Sequence, residues 1–162
     1  MSRDDKLPVT TAVRALRDAK VAFEGHLYEY VEKGGTAASS AALGVPESAV
    51  IKTLVMEDDA KKPLVVLMHG DQQVSTKELA RVLGRKRIGP CTPDTAHQHT
   101  GYLVGGTSPF GMRKALPVYV EQTILELPRI YLNGGKRGFL VCIAPTELVR
   151  VLKATPVKVG LA

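Results

Sequence analysis

The chain of 162 residues contains no tryptophan, only 5% aromatic residues and only two cysteines. So few aromatic residues argue against an extended platform for stacking nucleic-acid bases. The cysteines, Cys91 and Cys142, are 51 positions apart along the chain, which fits neither a disulfide framework nor a metal-binding motif. No apolar run reaches the roughly 18 residues of a membrane span. Met1 to Pro8 is polar, with no apolar signal-peptide core behind it.

The composition that remains is that of a globular protein, with 44% apolar and 23% charged residues. The length is that of one domain, so we expect a single domain over residues 1–162. Together with the missing leader and the scarce cysteines, this predicts a reduced, cytoplasmic protein without membrane contact.

The formal net charge of +6 favours a polyanionic partner such as tRNA, although many basic proteins bind no nucleic acid. Five of the basic residues are close together: Lys77, Arg81, Arg85, Lys86 and Arg87. The alternative interpretation of this cluster is a solvated helix face. Basic residues in or after glycine-rich turns point more directly to an anion, because turns bring backbone N–H groups and cations together. These are Arg113, Lys114, Lys136 and Arg137.

Hydrophobic spacing and cap residues predict five helices, over about 10–20, 37–43, 76–83, 93–100 and 145–152, with Thr36, Ser75 or Thr76, and Thr92 as starting signals. Residues 50–56 form the best strand pattern, joined by a polar turn to a second strand at 63–68 in an antiparallel hairpin. Further strands are predicted at 23–30, 118–120, 129–132 and 139–143. Helices spread among clustered strands predict an α+β fold with a mixed, largely antiparallel sheet, or a partial barrel, flanked by helices.

Lys52 is unusual because it interrupts the apolar strand Val50–Met56. It could be an edge-strand lysine that discourages aggregation. Alternatively, it points into a cleft, where it would hold a carbonyl or phosphate oxygen or have its pKa lowered by desolvation.

Two glycine-rich segments follow later in the chain. Gly105, Gly106, Thr107, Ser108 and Pro109 could form an ordinary tight turn or a loop that presents N–H groups to an oxyanion or phosphate. The loop lacks the Gly-Lys-Ser/Thr ending of a Walker A motif, so ATP binding is not supported. The segment 133–138 is predicted to be a hairpin turn.

No nucleophile or metal site is evident. Neither a GxSxG elbow nor an HExxH motif is present, and His97 and His99 would point to different sides of a helix. Cys142 lies in an apolar strand, as a buried core thiol would. We therefore predict no metal and no cofactor.

In order along residues 10–153, the chain resembles the YbaK/EbsC family of trans-acting aminoacyl-tRNA editing domains, particularly the Cys-tRNA(Pro) deacylases. The segments that carry the resemblance are Thr11–Val13, Phe23, His26–Glu29, Val50–Leu54, Thr100–Gly111 and Ile130–Gly138.

The resemblance implies a mixed sheet or partial barrel and an enzyme that removes a wrong amino acid, typically Cys, from tRNA(Pro) alongside prolyl-tRNA synthetase. It implies that Lys52 is required for activity and that the loop Gly105–Pro109 surrounds the 3′ adenosine and the aminoacyl group. It further implies substrate contacts at Tyr28, Asn133 and Gly134.

Two positions depart from the Cys-specific pattern. Asn133 replaces a serine and Leu140 replaces an aspartate, and only the former can hydrogen-bond. A deacylase for another small residue, Ala or Ser, therefore remains an alternative. A non-catalytic module that binds tRNA or a synthetase is a third hypothesis.

Overall fold

A computed structural model describes residues 7–162. Five α-helices lie within this range: α1 Thr11–Asp18, α2 Gly35–Leu43, α3 Thr76–Leu83, α4 Pro93–Thr100 and α5 Thr146–Leu152. The ten strands are β1 Glu24–Leu27, β2 Ile51–Asp58, β3 Pro63–His69, β4 Gln73–Val74, β5 Ile88–Pro90, β6 Val118–Glu121, β7 Ile130–Lys136, β8 Phe139–Ile143, β9 Thr155–Val157 and β10 Gly160–Leu161. Glu47–Ala49 and Gln122–Glu126 form short 3₁₀ helices.

The predicted hairpin forms the centre of a five-stranded sheet with the order β5-β2-β3-β6-β9. β2 pairs antiparallel with β3 and β5, whereas β3–β6 and β6–β9 are parallel pairs. β1, β8 and β7 form a separate antiparallel sheet, and β10 pairs with β4. A parallel bridge between Val50 and Tyr131 links the two larger sheets. The predicted α+β class and mixed sheet are confirmed, and the described strands form open sheets rather than a closed barrel.

Strand alternation separates two hydrophobic cores across the five-stranded sheet. Ile51 and Val55 face a core shared with α1, α5 and the three-stranded sheet. Leu54 and Met56 face the other core, beneath α3. The α1 and α3 helices therefore cover opposite faces of this sheet.

Most helix boundaries follow the predicted capping chemistry. The side chains of Ser75 and Thr92 accept hydrogen bonds from backbone N–H groups in the first turns of α3 and α4. Gly84 and Gly101 end these helices in the left-handed conformation. Thr36 was the wrong cap for α2, whose N-cap is Gly34. The Thr36 hydroxyl instead bonds Glu47 Oε2 at 2.7 Å and the Gly70 carbonyl at 3.1 Å.

The glycine-rich segment 133–138 is only partly a turn. β7 continues to Lys136, with a register irregularity between Asn133 and Lys136, and only Arg137 and Gly138 form the turn. Gly134 lies in this strand against Phe139, whose ring would be 2.4 Å from a Cβ at this position. The predicted hairpin is therefore present, but its turn is shorter than predicted, because a β-bulge allows glycines within a paired strand.

Candidate active site

A cleft of about 620 Å³ opens along one edge of β2. Between the bridge at Val50 and the pairing with β5, which begins at Met56, this edge of β2 has no strand partner among residues 7–162. The volume is within the usual range for small-molecule sites, and the lining is mostly apolar. Six residues predicted at the sequence level line it: Tyr28, Lys52, Gly105, Thr107, Asn133 and Arg137.

Lys52 lies on β2 at the wall of the cleft and is half-buried. Its ammonium group donates a hydrogen bond to the Gln72 carbonyl. Burial lowers the pKa of Lys52 from its ordinary value, and the carboxylates of Glu47 and Asp71 oppose that shift. Lys52 is thus partly desolvated in a section of β2 with one open edge, and its role in the site stays a prediction.

The glycine-rich loop 105–109 contributes Gly105 and Thr107 to the lining of the cleft. Gly105 is exposed at φ +86°, and a Cβ there would lie 2.8 Å from the Tyr30 hydroxyl oxygen. Among residues 7–162, the backbone N–H groups of Gly105 and Thr107 have no hydrogen-bond acceptor, and both residues line the cleft. A loop of this kind can donate to an oxygen that becomes negatively charged.

The other three residues of the loop are buried and do not line the cleft. Ser108 is fully buried, and its hydroxyl accepts a hydrogen bond of 3.1 Å from the Phe110 N–H. Gly106 and Pro109 are also buried, and neither lines the cleft. The Gly106 N–H donates to the Leu103 carbonyl at 2.8 Å. Direct substrate contact by these residues, and by Gly134, stays a prediction.

Asn133 and Arg137 tie the loop to the β7–β8 hairpin. The Asn133 Nδ2 donates to the Gly105 carbonyl at 2.8 Å, while its Oδ1 accepts from Gly135 N at 2.7 Å. Arg137 Nε donates to the Val104 carbonyl at 2.7 Å, and the guanidinium carbon lies 5.4 Å from the centre of the Tyr30 ring. The amide of Asn133 is therefore engaged in shaping the loop.

Tyr28 and Leu140 contribute the apolar part of the cleft near the three-stranded sheet, in the cluster that contains Val50. Burial raises the pKa of Tyr28, and the hydrogen bond with the backbone of Gly138 opposes the shift. Tyr28 is therefore a neutral phenol at physiological pH. Leu140 is buried and offers no hydrogen bond.

Three of the four predicted tRNA-binding residues lie outside the cleft. Arg113 and Lys114 contact the end of α4, through the Gln98 carbonyl at 3.4 Å and His99 Nδ1 at 3.1 Å. Lys136 is exposed on the hairpin. Only Arg137 lines the cleft, and tRNA contact by any of the four stays a prediction.

Sequence reasoning missed the wall that runs from Tyr30 to Ser39. It packs near Lys52 because Thr36 bonds both Glu47 and the Gly70 carbonyl. A Cβ at Gly70 would lie 2.6 Å from the Thr36 hydroxyl, so a glycine is needed at this contact. Such contacts join residues 34 positions apart, and no local spacing predicts them.

The thiols do not provide an activated nucleophile. Cys91 lines the cleft, and burial raises its pKa, with a further rise caused by the Glu57 carboxylate. Burial also raises the pKa of Cys142. Since the thiolate is the nucleophilic form, both cysteines are weak nucleophiles at neutral pH.

Residues 7–162 contain no group of three or more His, Cys, Asp or Glu side chains arranged to hold a metal ion. His97 is engaged with the Tyr102 carbonyl at 3.1 Å. No helix within this range is both long enough and apolar enough to cross a membrane.

Comparison with known proteins gives a family match over residues 32–151, to the model described as the aminoacyl-tRNA editing domain. The chain is 30% identical over 141 residues to an Enterococcus faecalis protein named "Putative Cys-tRNA(Pro)/Cys-tRNA(Cys) deacylase EbsC", covering 86% of each chain. It is 26% identical over 100 residues to a proline–tRNA ligase of Streptococcus thermophilus; this match covers 62% of the chain but only 16% of the ligase. A crystal structure described as "a putative trans-editing enzyme for prolyl tRNA synthetase" has the same fold, with a TM-score of 0.82, 20% identity and coverage of 96% and 100% of the two chains.

Proposed function

The chain belongs to the family of aminoacyl-tRNA editing domains, and we propose that it is a trans-acting deacylase that removes mischarged Cys from tRNA(Pro). The name of the E. faecalis relative supports this substrate. The similarity to part of a proline–tRNA ligase supports prolyl-tRNA synthetase as a partner in the same process. These relationships place the proposed activity in translation, which is consistent with the predicted cytoplasmic location.

The observation that carries the proposal is that Lys52 and two residues of the glycine-rich loop line the same cleft. The loop residues are Gly105 and Thr107, whose backbone N–H groups have no acceptor among the described residues. An aminoacyl ester is already activated, so its cleavage needs positioning and stabilisation of the carbonyl oxygen more than a strong nucleophile. We assign Lys52 and the loop to holding the 3′ adenosine and the ester carbonyl.

A cysteinyl substrate can supply its own nucleophile. Its thiol sulfur attacks the ester carbonyl carbon, the bond from that carbon to the ribose oxygen breaks, and the thiol proton passes to the ribose oxygen. The products are a thiolactone and tRNA with a free 3′ hydroxyl. The raised pKa values of Cys91 and Cys142 support this route, because neither enzyme thiol is poised to attack. Attack by a bound water is the alternative route, and it would release the free amino acid.

Leu140 favours a second candidate specificity. Leu140 is a buried apolar residue of the cleft lining, at a position where the resemblance to the Cys-specific deacylases implies an aspartate. A pocket of this kind accepts the methyl group of Ala without leaving a polar group unpaired. The proposed reaction class is the same for Cys and Ala.

The test is deacylation of Cys-, Ala- and Ser-tRNA(Pro) by the purified chain, with product analysis by mass spectrometry. We expect Cys-tRNA(Pro) to be cleaved fastest, with a thiolactone as product. Faster loss of Ala or Ser would retain the deacylase and overturn the Cys preference. Salt-sensitive tRNA binding without turnover of any of the three would support the binding-module hypothesis.

A further inference from the structure

A second, basic groove lies at the start of β5, whereas the cleft reaches the end of this strand. The groove has a volume of about 400 Å³ and is formed by α3 and the segment leading into β5. Its basic residues are Lys77, Arg81, Arg85, Lys86 and Arg87, all of them exposed. We call this surface the α3–β5 basic groove. The sequence did not decide whether these residues form a solvated helix face. In the structure, all five line one groove.

Only two of the five cations have a carboxylate partner in an ion pair among residues 7–162. Arg81 pairs with Glu78, and Arg85 Nε lies 3.5 Å from the buried Asp58 carboxylate. Lys77, Lys86 and Arg87 form no ion pair within this range. One further carboxylate lies beside the groove, since Asp59 Oδ1 accepts a hydrogen bond of 3.2 Å from the Lys86 backbone N–H. The five cations still outnumber the carboxylates of Asp58, Asp59 and Glu78, which favours an anionic ligand.

The sheet sets the distance between Lys52 and this groove. Lys52 and Asp58 point to the same face of β2 and are six residues apart, or about 20 Å at roughly 3.3 Å per residue. Asp58 holds Arg85 in the groove, while Lys52 lines the cleft. β5 joins the two sites directly, because Pro90 lines the cleft and Ile88 lines the groove.

We propose that the α3–β5 basic groove binds the phosphate backbone of the tRNA acceptor stem while the 3′ end occupies the cleft. This proposal rests on the proposed function, which supplies the tRNA. A polyanion anchored at its 3′ end beside Lys52 continues past that end, and a groove about 20 Å along β2 from Lys52 is placed to meet its phosphates rather than its terminal nucleotide. The groove then provides affinity without reading sequence, because phosphate contacts position a nucleic acid without specifying its bases.

The experiment measures binding of uncharged tRNA by fluorescence anisotropy at several salt concentrations. The test variant is Lys77→Gln/Lys86→Gln/Arg87→Gln, which removes three exposed cations without leaving a paired carboxylate behind. The matched control is Arg14→Gln/Arg17→Gln/Lys153→Gln, which removes the same charge from the α1 and α5 side of the molecule, where all three residues are exposed. A single charge reversal, Lys86→Glu, tests whether tRNA affinity falls when a negative charge replaces a positive one in the groove.

We expect the test variant to bind tRNA at least roughly tenfold more weakly at low salt, with the slope of log affinity against log salt reduced by about 3. At about 0.15 M salt, where the Debye length is roughly 8 Å, the control should bind within about twofold of the wild type, because charges on the α1 and α5 side are then screened from a ligand in the groove. Deacylation of a minimal substrate, Cys esterified to a CCA trinucleotide, should be unchanged in the test variant, since such a substrate does not reach the groove.

Wild-type affinity and slope in the test variant, or an equal loss in the control, would overturn the groove as the phosphate site. An equal loss on the minimal substrate would also overturn it, because the variant would then act through the cleft. Failure of the proposed function gives a different result: the wild type would cleave neither substrate while tRNA binding still depended on the groove. A wild type that binds no tRNA would overturn both.

Discussion

The side-chain amide of Asn133 donates a hydrogen bond of 2.8 Å to the backbone carbonyl of Gly105, 28 residues earlier in the chain. This contact fastens the glycine-rich loop that lines the cleft to the β7–β8 hairpin. Asn133 thereby acts as a positioning residue, since its carbonyl oxygen is also engaged by the N–H groups of Gly135 and Lys136.

Replacing Asn133 tests this role. Asn133→Ala removes all three hydrogen bonds, whereas Asn133→Asp keeps the acceptor for the hairpin and loses only the donor to Gly105. We expect both variants to lower kcat/KM for deacylation roughly five- to tenfold, the effect of about 1 kcal/mol. Thermal unfolding should show a larger loss of stability for Asn133→Ala. An Asp variant with wild-type kcat/KM would show that the contact to Gly105 has no part in the site.

Gly105 and Gly84 form a matched pair of positive-φ glycines, at +86° and +69°. A Cβ at Gly105 would lie 2.8 Å from the Tyr30 hydroxyl oxygen, while a Cβ at Gly84 would have no atom within 4 Å. Both Gly→Ala variants should lose about 1 kcal/mol of unfolding free energy through left-handed backbone strain. Only Gly105→Ala should also slow deacylation, because its loop must shift. Equal activities in the two variants would argue against a role for the loop conformation.

The buried hydrogen bond of Ser108 predicts an effect on stability that does not depend on substrate contact. Its buried hydroxyl is the acceptor for the Phe110 N–H, so Ser108→Ala leaves a buried donor unpaired and should cost about 1–3 kcal/mol in urea unfolding. Thr107→Ala, at a half-buried position one residue away, should cost less than about 1 kcal/mol. The reverse order would show that Thr107, rather than Ser108, secures the loop.

The lowered pKa of Lys52 predicts a pH-dependent stability. Because burial disfavours the charged form, the unfolded chain binds more protons than the folded chain between the two pKa values, and stability rises with pH in that window. The difference in unfolding free energy between wild type and Lys52→Met should therefore shift in favour of the wild type as pH approaches the ordinary lysine pKa of about 10.4. Chemical denaturation from neutral to alkaline pH measures it. A difference that stays flat or moves the other way would contradict the desolvation of Lys52.

The elements with local signals were predictable. The β2–β3 hairpin follows from a β-branched run and a polar turn, and α3 and α4 follow from Ser75, Thr92, Gly84 and Gly101. The parallel pairing of β3 with β6 and of β6 with β9 was not, because it joins strands that are distant along the chain and share no turn.

The candidate site was also predictable only where the sequence carries a local signal. Lys52 was identifiable because a charged residue is unusual in an otherwise apolar strand, and the loop was identifiable by its glycines. The wall from Tyr30 to Ser39 was not, because it depends on the contacts of Thr36 with Glu47 and Gly70. The hydrogen bonds of Asn133 could not be predicted either, because a sequence shows that an amide can hydrogen-bond but not which groups are its partners.

The most direct test of the account compares Lys52→Ala with Lys33→Ala in single-turnover deacylation of Cys-tRNA(Pro). Both lysines line the cleft, but Lys33 is exposed, whereas Lys52 is half-buried on β2 and burial lowers its pKa. The account predicts that Lys52→Ala, folded by circular dichroism, loses at least about a hundredfold in rate, as expected for a group that stabilises developing charge. Lys33→Ala should stay within a few-fold of the wild type. A folded Lys52→Ala variant that releases Cys at the wild-type rate would contradict the central claim that Lys52 and the loop form the site of ester cleavage.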